Sequence, residues 1–132
     1  MNILIAEDDF TSRRLLQNIL APYGESMITV NGEEAVEAFT LALEQGRPFD
    51  LVCMDIMMPV MDGQEALREI RAVEQRNGVK PADEAKIIMI TALGDPRNVV
   101  DAYYKGGAAL YLTKPIDVRT FIDAVRQLGL IT

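Results

Sequence analysis

The stretch Leu51-Val52-Cys53-Met54-Asp55-Ile56-Met57-Met58-Pro59-Val60-Met61-Asp62-Gly63 decides the fold. Its first four residues are apolar without a break, which suits a strand covered on both faces; a half-covered strand would alternate. A single carboxylate, Asp55, ends the run. Pro59 then removes a backbone donor and interrupts regular structure. Asp62, with Glu65 three residues on, reads as a helix N-cap, and the helix it opens would bury Leu67, Ile70 and Val73. The unit is strand, loop, helix.

Working outward, the same unit recurs. Ile3–Ala6 predicts a strand, followed by a helix carrying Leu15, Leu16, Ile19 and Leu20 that stops near Pro22 and Gly24. Met27–Val30 predicts a second strand, and Asn31 caps a helix with Ala35, Val36, Phe39 and Leu43 on its inner face. Beyond the central stretch, Gln75–Lys86 reads as a loop and Ile87–Ile90 as the fourth strand. Asp95-Pro96 opens a fourth helix that Gly106-Gly107 ends. Ala109–Leu112 is the fifth strand, and Val118, Phe121, Ile122, Val125 and Leu128 mark the last helix. Five β-α units with apolar strands imply an α/β domain, a parallel sheet with helices on both faces. The 132 residues suit one such domain, with no linker to a second.

Composition removes several chemistries. Lys plus Arg is 13 and Asp plus Glu is 20, a net charge of −7, which argues against a nucleic-acid-binding module, because neutralising phosphates needs a basic face. Histidine is absent, which excludes Ser-His-Asp and Cys-His nucleophiles and histidine metal sites. The single cysteine, Cys53, excludes an internal disulfide and reads as a small buried hydrophobe. No apolar stretch approaches the ~20 residues of a spanning helix, and no leader pattern is present, so a cytoplasmic protein without membrane insertion is expected.

In open α/β sheets, ligands bind beyond the carboxyl ends of the strands. Glu7, Asp8 and Asp9 follow the first strand, Asp55 the third, Thr91 and Ala92 the fourth, and Thr113 and Lys114 the fifth. Clustered carboxylates call for a divalent cation, and all-oxygen ligation favours Mg²⁺, with Mn²⁺ also suited. A lysine and a small hydroxyl beside such a metal make a site for a phosphoryl group. Without His or a plausible Cys nucleophile, the acceptor would be a carboxylate, and Asp55 is the best placed.

Glu7-Asp8-Asp9 after the first strand, Asp55 through Gly63, Thr91-Ala92 and Lys114-Pro115 together resemble the receiver domain of two-component response regulators, single-domain chemotaxis-type receivers in particular. The resemblance spans about residue 2 to residue 128. It implies a flavodoxin-like (βα)5 doubly wound fold, with five parallel strands in the order 2-1-3-4-5 and helices on both faces. Asp55 would take its phosphoryl group from a phosphohistidine on a sensor histidine kinase or phosphotransfer protein. Asp8, Asp55 and the Met57 carbonyl would hold Mg²⁺ directly, and Glu7 through water. The acidic triplet offers two registers, Glu7-Asp8 and Asp8-Asp9; the first is preferred because it follows the apolar strand directly, and under the second Asp9 is the ligand.

Phosphoryl oxygens would be bound by Thr91, Ala92 and Lys114, with a cis bond at Lys114-Pro115. Thr91 and Tyr111 would act as the switch, and the fourth helix, fifth strand and last helix as the surface read by a downstream target protein, with contributions from Tyr103, Tyr104 and Lys105. Apolar Met57 and Leu93, each two residues past a site residue, would obstruct water and lengthen the phosphorylated lifetime.

Such a chain is a signalling switch rather than an enzyme, catalysing only its own phosphorylation and slow dephosphorylation. A phosphorelay intermediate that passes the group to a second histidine protein, or a receiver fragment of a larger regulator, is the alternative. With residues 1–132 forming a single receiver, no output domain is expected in the chain, and no oligomeric state is implied. A haloacid-dehalogenase-type phosphatase would need an acid where Met57 stands. A flavin module would need a Ser/Thr/Gly-rich loop where the acidic triplet stands.

Overall fold

Alternate residues of a strand face opposite ways, and here both directions are apolar. Ile3 and Ile5, Leu51 and Cys53, Ile88 and Ile90 belong to one core; Leu4 and Ala6, Val52 and Met54, Ile87 and Met89 belong to the other. A sheet with two apolar faces must be covered twice. The computed structural model, which describes residues 1–92 and 107–132, shows how.

Strands β1 (Asn2–Ala6), β2 (Glu25–Thr29), β3 (Leu51–Asp55), β4 (Lys86–Thr91) and β5 (Leu110–Thr113) form one parallel sheet in the order β2-β1-β3-β4-β5. This is the flavodoxin-like order. Four α-helices lie among the described residues: α1 (Phe10–Leu20), α2 (Gly32–Glu44), α3 (Gly63–Arg76) and α4 (Val118–Gln127). Helices α2 and α3 supply Phe39, Leu67 and Ile70 to one core, and α1 and α4 supply Leu16, Leu20, Phe121 and Val125 to the other. Burying each such side chain contributes about 1.5–3 kcal/mol. The helix expected after Asp95-Pro96 lies outside the described residues, as do Leu93, Tyr103, Tyr104 and Lys105.

Each helix starts on a side-chain cap. Asp9 accepts from Ser12 N, Asn31 from Glu34 N, Asp62 from Glu65 N and Asp117 from Thr120 N. Among the described residues, no helix is long and apolar enough to cross a membrane.

Most expected strand boundaries shift by one residue at most, and two boundaries move by two. The second strand lies at Glu25–Thr29 rather than Met27–Val30, because it is an edge strand: Glu25 and Met27 face solvent, and Val30 falls in the turn. The loop expected from Gln75 begins later, because α3 continues through Arg76 and a 3-10 turn at Pro81–Asp83 follows. Glu74, in the last turn of α3, is buried.

Candidate functional site

Register brings the strand ends level. Ala6 pairs with Met54, Asp55 with Ile90, and Thr91 with Thr113, so Glu7, Asp55, Thr91 and Lys114 emerge along one edge of the sheet. Backbone bonds continue just past the strands: Glu7 N donates to Thr29 O (3.0 Å), Ile56 N to Ile90 O (2.8 Å) and Lys114 N to Thr91 O (2.8 Å). Side chains at this edge therefore stand on a rigid base, not on free loops.

Glu7 and Asp55 are buried, Asp8 is exposed, and carboxylate oxygens of all three lie within 4.8 Å of one another. Lys114 Nζ bridges two of them, donating to Glu7 Oε1 at 2.6 Å and to Asp55 Oδ2 at 3.1 Å. Asp55 Oδ1 accepts from Met57 N at 3.2 Å. Glu7 Oε2, by contrast, is buried without a hydrogen-bond partner among the described residues. Burial pushes the Glu7 carboxyl up to about 7; the neighbouring Asp55 carboxylate adds to the rise and Lys114 opposes it. Partial burial works against the Lys114 ammonium, but its bonds to Glu7 and Asp55 prevail and hold its pKa above the ordinary lysine value. An all-oxygen donor set with an orphaned buried oxygen fits a hard divalent cation.

The other expected site residues lie close by, with one exception. Thr91 is buried at the end of β4, its hydroxyl 3.4 Å from Ala92 O, and Ala92 is exposed at the rim. The Lys114–Pro115 peptide is cis. Tyr111 is half-buried against the α2–α3 core. The Met57 side chain is 60% exposed beside Asp55. Asp9 stands apart from the acidic group. Its carboxylate caps α1 through Ser12 N at 2.9 Å, a bond that lowers its pKa, so the structure gathers Glu7 and Asp8, not Asp9, around Asp55.

Two supporting residues escaped the sequence reading. Gly63 packs so closely that a Cβ there would stand 2.1 Å from the Asp55 carbonyl oxygen, while Gly63 N donates to Ile56 O. Only a residue without Cβ lets α3 begin directly against the end of β3. Arg13 Nη1 donates to Glu7 O at 3.2 Å and so ties α1 to the end of β1. The spacing of Asp62-Gly63 signalled a helix start but not this contact.

A family model described as the response regulator receiver domain matches residues 3–126. The chemotaxis protein CheY of Bacillus subtilis is 34% identical over 95% of this chain and 94% of its own length. Among solved structures, the receiver domain of the histidine kinase CKI1 from Arabidopsis thaliana, complexed with Mg²⁺ and BeF3⁻, is 30% identical with a TM-score of 0.79. That match covers 97% of this chain and 89% of the other. The co-crystal of the Saccharomyces cerevisiae histidine phosphotransfer protein Ypd1 with the receiver domain of its downstream response regulator Ssk1 gives 27% identity and a TM-score of 0.81. There, 98% of this chain and 88% of the other are covered.

Proposed function

The chain belongs to the response regulator receiver family, the phosphorylation-dependent switches of two-component signalling, and from that premise we propose that Asp55 is its phosphoryl acceptor. One observation carries the reading. Lys114 bridges Glu7 and Asp55 at a strand-end site where a buried Glu7 oxygen has no partner. This arrangement holds excess negative charge ready for a cation and keeps one ammonium beside the nucleophile.

In the proposed reaction, an Asp55 oxygen attacks phosphorus in line. The P–N bond of a phosphohistidine on a kinase or phosphotransfer protein breaks, and the imidazole leaves with the electron pair and takes a proton. Asp8, Asp55 and the Met57 carbonyl would hold Mg²⁺, with Glu7 behind them. When bound, the ion neutralises phosphoryl charge and acts as a Lewis acid. Lys114 pairs with one phosphoryl oxygen, while Thr91 and the backbone at Ala92 bind another. The only further step is slow hydrolysis of the acyl phosphate, so the protein works as a cytoplasmic switch rather than an enzyme. β5 with α4 and the segment 95–105 is the proposed surface for a downstream target protein.

Incubation with Mg²⁺ and acetyl phosphate should add one phosphoryl group by intact mass, labile to base, and Asp55→Ala should abolish it. A phosphoryl adduct that survives Asp55→Ala would overturn the reading.

A further inference from the structure

Glu74 is only 2% exposed, yet it is a carboxylate that the acceptor site does not use. Both its oxygens are occupied. Oε1 accepts from Arg71 Nη1 at 2.7 Å, and Oε2 accepts from the backbone of Ala85, at the entrance to β4, at 2.8 Å. The other edge of the Arg71 guanidinium turns to Gly107, whose carbonyl accepts from Nε at 3.3 Å and from Nη2 at 3.0 Å. Gly107 stands at φ +79, a left-handed conformation suited to glycine. Two residues on, Ala109 N donates to Ile87 O, and β5 begins.

These contacts close a circuit. The first residue of α3, Gly63, abuts the Asp55 carbonyl; eight residues along the same helix, Arg71 grips the entrance to β5; and β5 leads directly to Lys114, whose ammonium returns to Asp55. A 14-residue α-helix is a stiff rod of about 20 Å, so it carries position from one end to the other. Glu74 aligns the guanidinium fork, because a planar donor set held at one edge presents its other edge in a fixed direction.

We propose that Arg71 is a positioning residue for Lys114: by holding Gly107 it sets where β5 lies on the sheet, and so where the Lys114 ammonium meets a phosphoryl group on Asp55. The proposal rests on the acceptor reading above. The proposed cation ligands stand on β1, β3 and the loop after β3, outside the span that Arg71 holds. Only the Lys114 ammonium, which donates to Glu7 and Asp55, links the two, so phosphoryl affinity should fall more than cation affinity.

The test uses beryllofluoride, a tetrahedral stand-in for a phosphoryl group, titrated with Mg²⁺ present and followed by fluorine NMR. Mg²⁺ affinity is measured separately by calorimetry. Arg71→Ala would strand the Glu74 carboxylate in the core and endanger folding. Two other variants avoid this: Arg71→Lys, which keeps a cation for Glu74, and the uncharged pair Arg71→Met/Glu74→Gln, whose amide oxygen still accepts from Ala85 N.

Both variants should bind beryllofluoride about tenfold more weakly, the size of an ordinary coupling between sites, while Mg²⁺ affinity stays within about twofold. Ile19→Ala, on α1 in the opposite core, serves as a destabilised control that should keep wild-type beryllofluoride affinity. Wild-type affinity in either Arg71 variant overturns the proposal, as does an equal loss in Ile19→Ala or a parallel loss of Mg²⁺ affinity. If the wild-type protein binds no beryllofluoride, the acceptor reading itself fails, and this proposal with it.

Discussion

Glu7→Gln should remove a pH dependence of stability that runs opposite to the usual one. In the metal-free fold the Glu7 carboxyl is raised from 4.5 to about 7, chiefly by burial. Between those values the native state binds more protons than the unfolded chain, so stability falls as pH rises. The contribution is fully present below pH 4.5 and is lost as pH passes through about 7. At about 1.4 kcal/mol for each pH unit, the rise corresponds to about 3 kcal/mol. Gln keeps an acceptor for Lys114 Nζ, now 2.6 Å from Oε1, and carries no charge. Denaturant melts without metal, at intervals from pH 4 to pH 8, would measure wild type against the variant, so that titrating groups remote from Glu7 cancel. Wild type should lose about 3 kcal/mol relative to Glu7→Gln across the range, and Mg²⁺ should suppress most of that loss. A difference that is flat with pH, or that favours wild type at high pH without metal, would refute the reasoning.

Three further outcomes follow from the same geometry. Gly63→Ala places a Cβ 2.1 Å from the Asp55 carbonyl oxygen, so the acceptor strand or α3 must move. It should cost about 1–3 kcal/mol in denaturant melts and weaken Mg²⁺ binding by calorimetry. Val60 is 76% exposed at φ +70, a conformation unfavourable to a β-branched residue; Val60→Asn should raise stability by about 1 kcal/mol without a lost contact. Met57 stands exposed two residues past Asp55, where its thioether gives attacking water no partner, so Met57→Asn should shorten the life of the phosphoryl adduct followed by intact mass. An equal or slower decay would count against that role.

The central strands were legible because burial on both faces leaves a local mark: four consecutive apolar residues in β1, β3 and β4. β2 was displaced by two residues because an edge strand is held by backbone pairing with β1, which needs no apolar run; Glu25 and Ser26 pair as well as Met27 does. Site residues were legible as strand-end residues once the parallel order was supposed. The preference for Glu7-Asp8 over Asp8-Asp9, drawn from the end of the apolar strand, agrees with the pair gathered around Asp55; that Asp9 spends its carboxylate on Ser12 N was not legible, since cap and ligand look alike in sequence. Glu74 could have been found. It lies on the same stripe as Leu67 and Ile70, at i, i+3 and i+7, and an acid on that stripe asks for a buried partner. Its link through Arg71 to Gly107 joins residues 36 apart, a distance no local pattern records.

The burial of Glu7 makes sense only as part of the acceptor chemistry. Three carboxylates and one ammonium leave the group at two negative charges when all are ionised, and a dianionic phosphoryl group brought near them meets repulsion. At about 6 Å and an effective dielectric of about 20, each pair of unit charges costs about 3 kcal/mol, so one lysine cannot offset the sum. A counter-charge must arrive first. The raised pKa of Glu7, to which its hydrogen bond with Asp55 contributes, lets a proton play that part when the site holds only protein. Proton and divalent cation are thus alternative occupants of one electrostatic requirement, and the cation satisfies it while leaving the Asp55 oxygens nucleophilic. On the proposed acceptor reading, a carboxyl buried at a cost of about 3 kcal/mol is a poor way to stabilise a fold and an effective way to make phosphoryl acceptance wait for the metal.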